Sequence, residues 1–262
     1  MERKIDKAFD ETASLLLGRQ LGSVDAYSGW LGEHVPLPFP AASAVSRKEI
    51  WMAPPINFLD KRFDTRRIID MAEMESVNVS PYGSKELEAV ENLGQLLGKF
   101  VSPIAYYCGN FRYGAGQDIE KCSGGGRGRT IYYSEDVFHN VKNVAFSHCV
   151  VNSQNIFGGH HVVKSSFGIN IYNSNAIARG FEVDGCLSSS DIYFCHNSEN
   201  LRDCMFCFNA KNLKNAIGNM QYPREEYLAV KKMVLSEIAE KVTKDKKLKW
   251  SIYNVGEAHG KK

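Results

Sequence analysis

Hydrophobic positions change spacing several times along the chain, and each change predicts a different element. Over residues 2–20, Ile5, Phe9, Ala13, Leu16 and Leu17 recur at helical intervals, with Lys4, Asp6, Lys7 and Asp10 on the other faces. The spacing predicts an amphipathic helix ended by Gly18 and Gly22. From Ser23 to Asn57 no period survives, and Pro36, Pro38, Pro40, Pro54 and Pro55 fix an extended path that wraps the main body through Trp30, Phe39 and Trp51. Residues 64–76 read as a second helix on Ile68, Ile69, Met71 and Ala72, with Val77 and Val79 as the alternative start of a strand. Residues 84–100 read as a stronger helix, with Ser84 as its cap and Leu87, Val90, Leu93, Leu97 and Phe100 as its buried face. Tyr106 to Thr130 is loop-rich and ends in Gly124-Gly125-Gly126-Arg127-Gly128-Arg129-Thr130, read as a flexible loop. That run lacks the spacing of a phosphate-binding loop.

The dominant pattern follows. Ile192–Asp203 aligns on Cys204–Asn215, so that Phe194 falls on Phe206, Cys195 on Cys207, Asn197 on Asn209, Asn200 on Asn212 and Leu201 on Leu213. The period is 12 residues. Gly168–Arg179 keeps the phase, as does the stretch from Asn140, whereas 156–167 and 180–191 read as degenerate blocks. A unit this short excludes helical solenoids, which need about 30 residues or more per repeat. Short apolar clusters separated by Asn, Ser, Gly and Asp predict strand and corner in alternation. At about 3.3 Å per residue the 12-residue unit is taken as half a coil, giving about 24 residues per coil. Asparagines repeated at one position should stack as a ladder of amides along the axis.

The expected fold is therefore mainly β: a single-stranded parallel β-helix with N-terminal helices and a C-terminal capping helix. The boundaries follow from the pattern, with a helical and irregular region (1–130) packed on the solenoid, the β-helix (131–220), and a capping helix with a basic tail (221–262). Pro223 opens that last helix, Glu225 and Glu226 suit its first turn, and Leu228, Val230, Met233, Val234, Ile238 and Val242 form its apolar stripe.

Cys204-Met205-Phe206-Cys207-Phe208-Asn209 with Asn212-Leu213-Lys214-Asn215, followed by Gly218 to Tyr227, resembles the repeat and helix junction of uncharacterised microbial, archaeal-like parallel β-helix (β-solenoid) repeat proteins. The resemblance covers roughly residues 130–240. It implies repetitive β-structure and carries no activity or site residues.

Composition narrows the chemistry a little. A net charge of +2 produces no global field directed at nucleic acid or membrane, and no run of 18 apolar residues exists for a spanning helix. The charged N-terminus lacks the pattern of a signal peptide. Seven cysteines, an odd number mostly inside the array, favour reduced thiols and a cytoplasmic location. Cys204 and Cys207 form a CxxC that could bind a metal with His196, but the repeat already accounts for Cys207, and residues i and i+3 of a strand point to opposite faces. His160-His161, beside Gly158-Gly159, reads as a solvated corner with a ligand pair as the sharper alternative. His148 and His196 share the 24-residue phase. Asp184 and Asp191, with Arg179, are the candidates for a carbohydrate-cleaving acidic pair. The Lys-rich tail (Lys244, Lys246, Lys247, Lys249) reads as a solvated face, so nucleic acid is not an expected partner.

The function expected from these patterns is a non-enzymatic scaffold or protein-interaction module that assembles with a protein partner or a second copy of itself and needs no cofactor. The alternatives are a carbohydrate-active enzyme using Asp184 and Asp191, or a metal-binding protein using Cys204 and Cys207.

Overall fold

The structure, a computed structural model, describes residues 3–53, 64–77 and 82–257. Pro54, Pro55 and Val79 lie outside them. A parallel β-solenoid of about nine coils forms the body. N-terminal helices and a C-terminal helix, Arg224–Asp245, pack on it. Among the described residues no helix is long and apolar enough to cross a membrane.

Strand pairing sets the size of the coil. His148 pairs with His160, His160 with Tyr172, Phe181 with Tyr193 and Tyr193 with Met205, each 12 residues apart. Twelve residues therefore close a whole coil, and the 24-residue coil expected from the sequence is corrected to half that length. The expectation counted extended residues and overlooked the corners. From Asn140 to Gly218 every third residue has a positive φ. Each such residue turns the chain, so a side is three residues long and four sides close a square coil. Asn, Asp and Gly, which visit this conformation most easily, fill many corners. Phe146, Cys149 and Phe194 adopt it too, held by ladders on both sides. The two blocks that look degenerate in sequence keep this phase without a break.

The residue after each corner points inward. Every third residue from Val141 to Ala210 is buried, among them Val144, Ser147, Val150, Ser153, Ile156 and Gly159. The lumen thus receives four side chains per coil and accepts small or β-branched ones. Inward serines bridge coils: Ser153 Oγ donates to the Val151 carbonyl at 2.8 Å and accepts from the Ser165 N–H at 3.0 Å. Cysteines occupy the same slots. Cys186 Sγ lies 3.5 Å from the Asp184 carbonyl and 3.4 Å from that of Cys195, and Cys207 Sγ 3.5 Å from that of Met205. The expectation that residues i and i+3 face apart is thereby corrected, since Cys204 and Cys207 both line the lumen. Because serine makes the same bridge, Cys207→Ser should shift the thermal midpoint by less than about 4 °C in a melting experiment, a change of about 1 kcal/mol in a chain this size.

One outer face is covered. Ala145, Phe157, Ile169, Phe181, Tyr193 and Met205, one per coil, are buried beneath Ile5, Phe9, Ala13, Leu16 and Leu17 of the N-terminal helix Lys4–Leu17. Gly18 ends that helix in the left-handed conformation, as its sequence predicts. Trp30 and Leu31 fill in beside it. The C-terminal helix packs along this flank: Lys231 bonds Asp203 at 3.3 Å, and beyond the helix the Ile252 N–H reaches Glu182. The edge of the last coil is met by Met220–Gln221, antiparallel to Lys214–Ile217.

The N-terminal third departs from several expectations. Ile68 and Ile69 lie in a strand, Ile68–Asp70, parallel to Tyr107–Gly109, because burial with Ile50 and Met52 outweighs their helical spacing. The region expected as one helix over 84–100 is broken. Helix Ser84–Glu88 stops, and the Asn92 side chain accepts from the Gln95 N–H to start a new one. Leu87, Leu93 and Leu97 are exposed, not buried. The glycine-rich run is no loop: Gly124–Tyr132 is a strand of the solenoid, paired with Phe111–Arg112 and with Gln117–Glu120 on one side. The coils therefore begin before residue 131.

Candidate metal centre

The face next to the covered one carries Glu135, His148, His160 and Tyr172 in register, with Asp184 twelve residues on and His196 paired to it. The adjoining corner carries Asp136, Cys149 and His161, one step further in sequence. Parallel strands lie about 4.8 Å apart, so side chains on successive coils are forced into contact. The His148 and His160 rings stack at 4.9 Å, and those of His160 and His161 at 4.2 Å. The Nδ1 atoms of His148 and His160 are 3.1 Å apart. One nitrogen from each of the three residues lies within 4.8 Å of the others.

Burial is graded across the cluster: His148 is buried, His160 half-buried and His161 exposed. Burial, followed by the neighbouring imidazoles, lowers the pKa of His148 to about 4. Burial and then His161 do the same for His160, also to about 4. Both are neutral at pH 7, the form that offers a lone pair to an ion. On the rung below, burial first and Asp136 second raise Glu135 to about 7, and its Oε2 is buried without a hydrogen-bond partner. Asp136 is also raised by burial, against its hydrogen bond with the Cys149 thiol and the charge of His161.

The donor set suits a late first-row divalent ion. Two nitrogens bound tetrahedrally to one zinc at 2.0–2.1 Å stand about 3.3 Å apart, close to the Nδ1 separation seen here. Three imidazoles are borderline donors, matched to zinc, copper, nickel or cobalt over calcium or magnesium. Of the three residues that would hold such an ion, His161 is the exposed one.

The residues singled out from sequence are dispersed. Cys204 and Cys207 lie in the lumen, while His196 is outside the wall with Nδ1 2.9 Å from Asp184, so these three do not converge. Asp184 also accepts from the Asn173 amide at 2.9 Å. Asp191 sits on a different edge of the coil, gripped by Arg179 through two bonds of 2.6 Å. Each aspartate has its own partner, and they form no acid–base pair. The amide ladders do form: Asn143 donates to Asn155, Asn197 to Asn209 and Asn200 to Asn212, at 2.7–2.8 Å. His160-His161 lies in a regular coil, not at an interruption. Its partnership with His148 was visible as a separation of 12, one repeat, but a 24-residue coil would place the two on opposite sides. No protein family matches the chain, and no curated protein is similar to it in sequence.

Proposed function

We propose that this protein is a metal-binding β-solenoid in which His148, His160 and His161 hold one zinc-like divalent ion. The convergence of three imidazole nitrogens, two of them neutral at pH 7, carries this reading. The ion would tie two neighbouring coils together from outside, adding its binding energy to the stability of the array. Chelator-stripped full-length protein titrated with cobalt(II), followed by its visible absorption and by calorimetry, should bind one equivalent. His160→Ala should weaken that affinity by at least about 100-fold, beyond the 10- to 100-fold typical of losing a group that only orients a ligand. Cys204→Ser should bind as the parent does. Equal binding by the parent and His160→Ala would sink the assignment.

A second reading, a scaffold that associates with itself, is favoured by the exposure of Leu87, Leu93, Leu97, Val101 and Ile104 within one 18-residue stretch. Light scattering over a wide concentration range should then show dimers or larger species. A monomer throughout would remove this reading and leave the metal site untouched.

A further inference from the structure

The glycine-rich run does more than begin the solenoid. Gln117, Arg129, Lys142 and Gln154 pair in register down one exposed face, and Arg127 stands at the neighbouring corner with φ 53°. Between them lies a cleft of about 560 Å³ lined by Gln117, Arg127, Arg129, Asn140, Lys142 and Gln154, with only small apolar groups besides. No carboxylate borders it. Among the described residues, none of the three cations takes part in an ion pair.

Two other ladders balance their charges: Arg179 meets Asp191 and Lys211 meets Glu199, one coil apart. Arg129 instead lies directly beside Lys142, where like charges on adjacent strands disfavour the fold. Such an uncompensated local conflict is expected at sites kept for a ligand. The other stacked cation pair, Arg202 beside Lys214, has only Asn200 and Asn212 at the matching corner and so lacks a third charge. Arg127 is also positioned locally. Its side chain lies against Gly114 (φ 65°), where an added Cβ would come within 3.4 Å of it.

We propose that this cleft binds a small phosphorylated molecule. Two guanidinium forks and an ammonium match phosphate oxygens in charge and in geometry, and the side-chain amides can complete the bonding. The size of the ligand follows from the face itself. Beyond Gln154 the column continues as Ser166, Ala178 and Ser190, three coils without a cation, before Arg202 and Lys214 resume it, so the positive charge at the cleft is interrupted. A nucleic-acid strand would need positive charge along several coils. The inference does not rest on the metal reading, since it uses different residues on a different face.

Calorimetric titration of chelator-stripped full-length protein with inorganic pyrophosphate at fixed low salt tests it, with citrate and a single-stranded RNA 20-mer as comparison probes. Saturable one-to-one pyrophosphate binding is expected, weakened tenfold or more in Arg129→Gln and in Arg127→Gln, and unchanged in Arg202→Gln. These exposed side chains can be replaced without touching the lumen, and melting curves will verify that the variants are folded. Absent pyrophosphate binding, or equal binding by folded Arg129→Gln, overturns the site. Citrate binding as tightly overturns the phosphate class, and RNA binding more tightly overturns the small ligand.

Discussion

Replacing Glu182 with glutamine should stabilise the protein at pH 8 and leave it nearly unchanged at pH 4. Glu182 is fully buried, with Oε1 accepting from the Asn170 amide at 2.7 Å and Oε2 from the Ile252 N–H at 2.9 Å. Burial raises its pKa to about 7; Glu33 adds to the rise and the hydrogen bonds oppose it. An unfolded glutamate titrates near 4.5. The folded state therefore keeps a proton that the unfolded state has already lost. The resulting stability is complete below pH 4.5 and disappears as pH rises through 7, a loss of about 3 kcal/mol. Glutamine fits without new conflict because Asn170 Oδ1 is buried and unpartnered. A flip of the Asn170 amide lets that oxygen accept from the new side chain, whose own oxygen keeps Ile252. Glu182→Ala, by contrast, strands the Ile252 N–H and should be about 1–3 kcal/mol less stable than Glu182→Gln at every pH. Urea midpoints at pH 4, 6 and 8 discriminate these outcomes. A parent and a Glu182→Gln variant with the same pH dependence would show that this carboxyl is not its source.

Gly180→Leu should lower the thermal midpoint by roughly 6–12 °C, corresponding to about 3 kcal/mol of overpacking. Gly180 points into the lumen, where a Cβ alone would approach Ile171 Cδ1 to 2.8 Å and Ile177 Cγ2 to 2.9 Å. With four inward side chains per coil, no neighbour can move aside without meeting another. Each coil also contacts only those next to it, so the defect should open the array locally. Hydrogen exchange should show faster exchange between Ile169 and Ile192 first. Ala178→Leu, two residues away but facing outward, is the control and should change the midpoint little.

The repeat is legible because identical residues recur every 12 positions, and the N-terminal helix because its apolar stripe is long; the C-terminal helix is legible from Pro223, Glu225 and Glu226 instead, since Leu228, Val230 and Met233 of its expected stripe are exposed and only Ile238 and Val242 are buried. The coil size is not legible, although the inward series Val141, Val144, Ser147, Val150, Ser153, Ile156 repeats every third residue in plain view. Strand reasoning looks for alternation, and a corner at every third residue abolishes it. The same corners bring His148 and His160 onto one face and put Cys204 and Cys207 in the slots of the bridging serines, neither of which alternation predicts. Ile68 and Ile69 were misread for a different reason: their strand exists only because Tyr107–Gly109, far along the chain, lies beside it. The break near Asn92 has a local signal in its capping side chain, against which the leucine spacing points to one unbroken helix.

The three-residue corner rule makes the array behave like a combination lock with four positions per revolution. Inserting 12 residues between Cys149 and His160 would return every later column to its own face, one rung of about 4.8 Å further along the axis. Inserting three would keep all inward residues inward and all corners at corners, yet rotate everything downstream by a quarter revolution. His160 and His161 would then leave His148, and Phe181, Tyr193 and Met205 would swing out from under the helices. A hydrophobic lumen alone accepts any multiple of three; the outer surface accepts only multiples of twelve. The one extra residue at the adjacent corners His139 and Asn140, both with positive φ, stretches the pairing across it to 13 residues, yet Arg129 still meets Lys142 and Tyr132 still meets Ala145, so a one-residue slip taken up at a corner leaves the columns aligned.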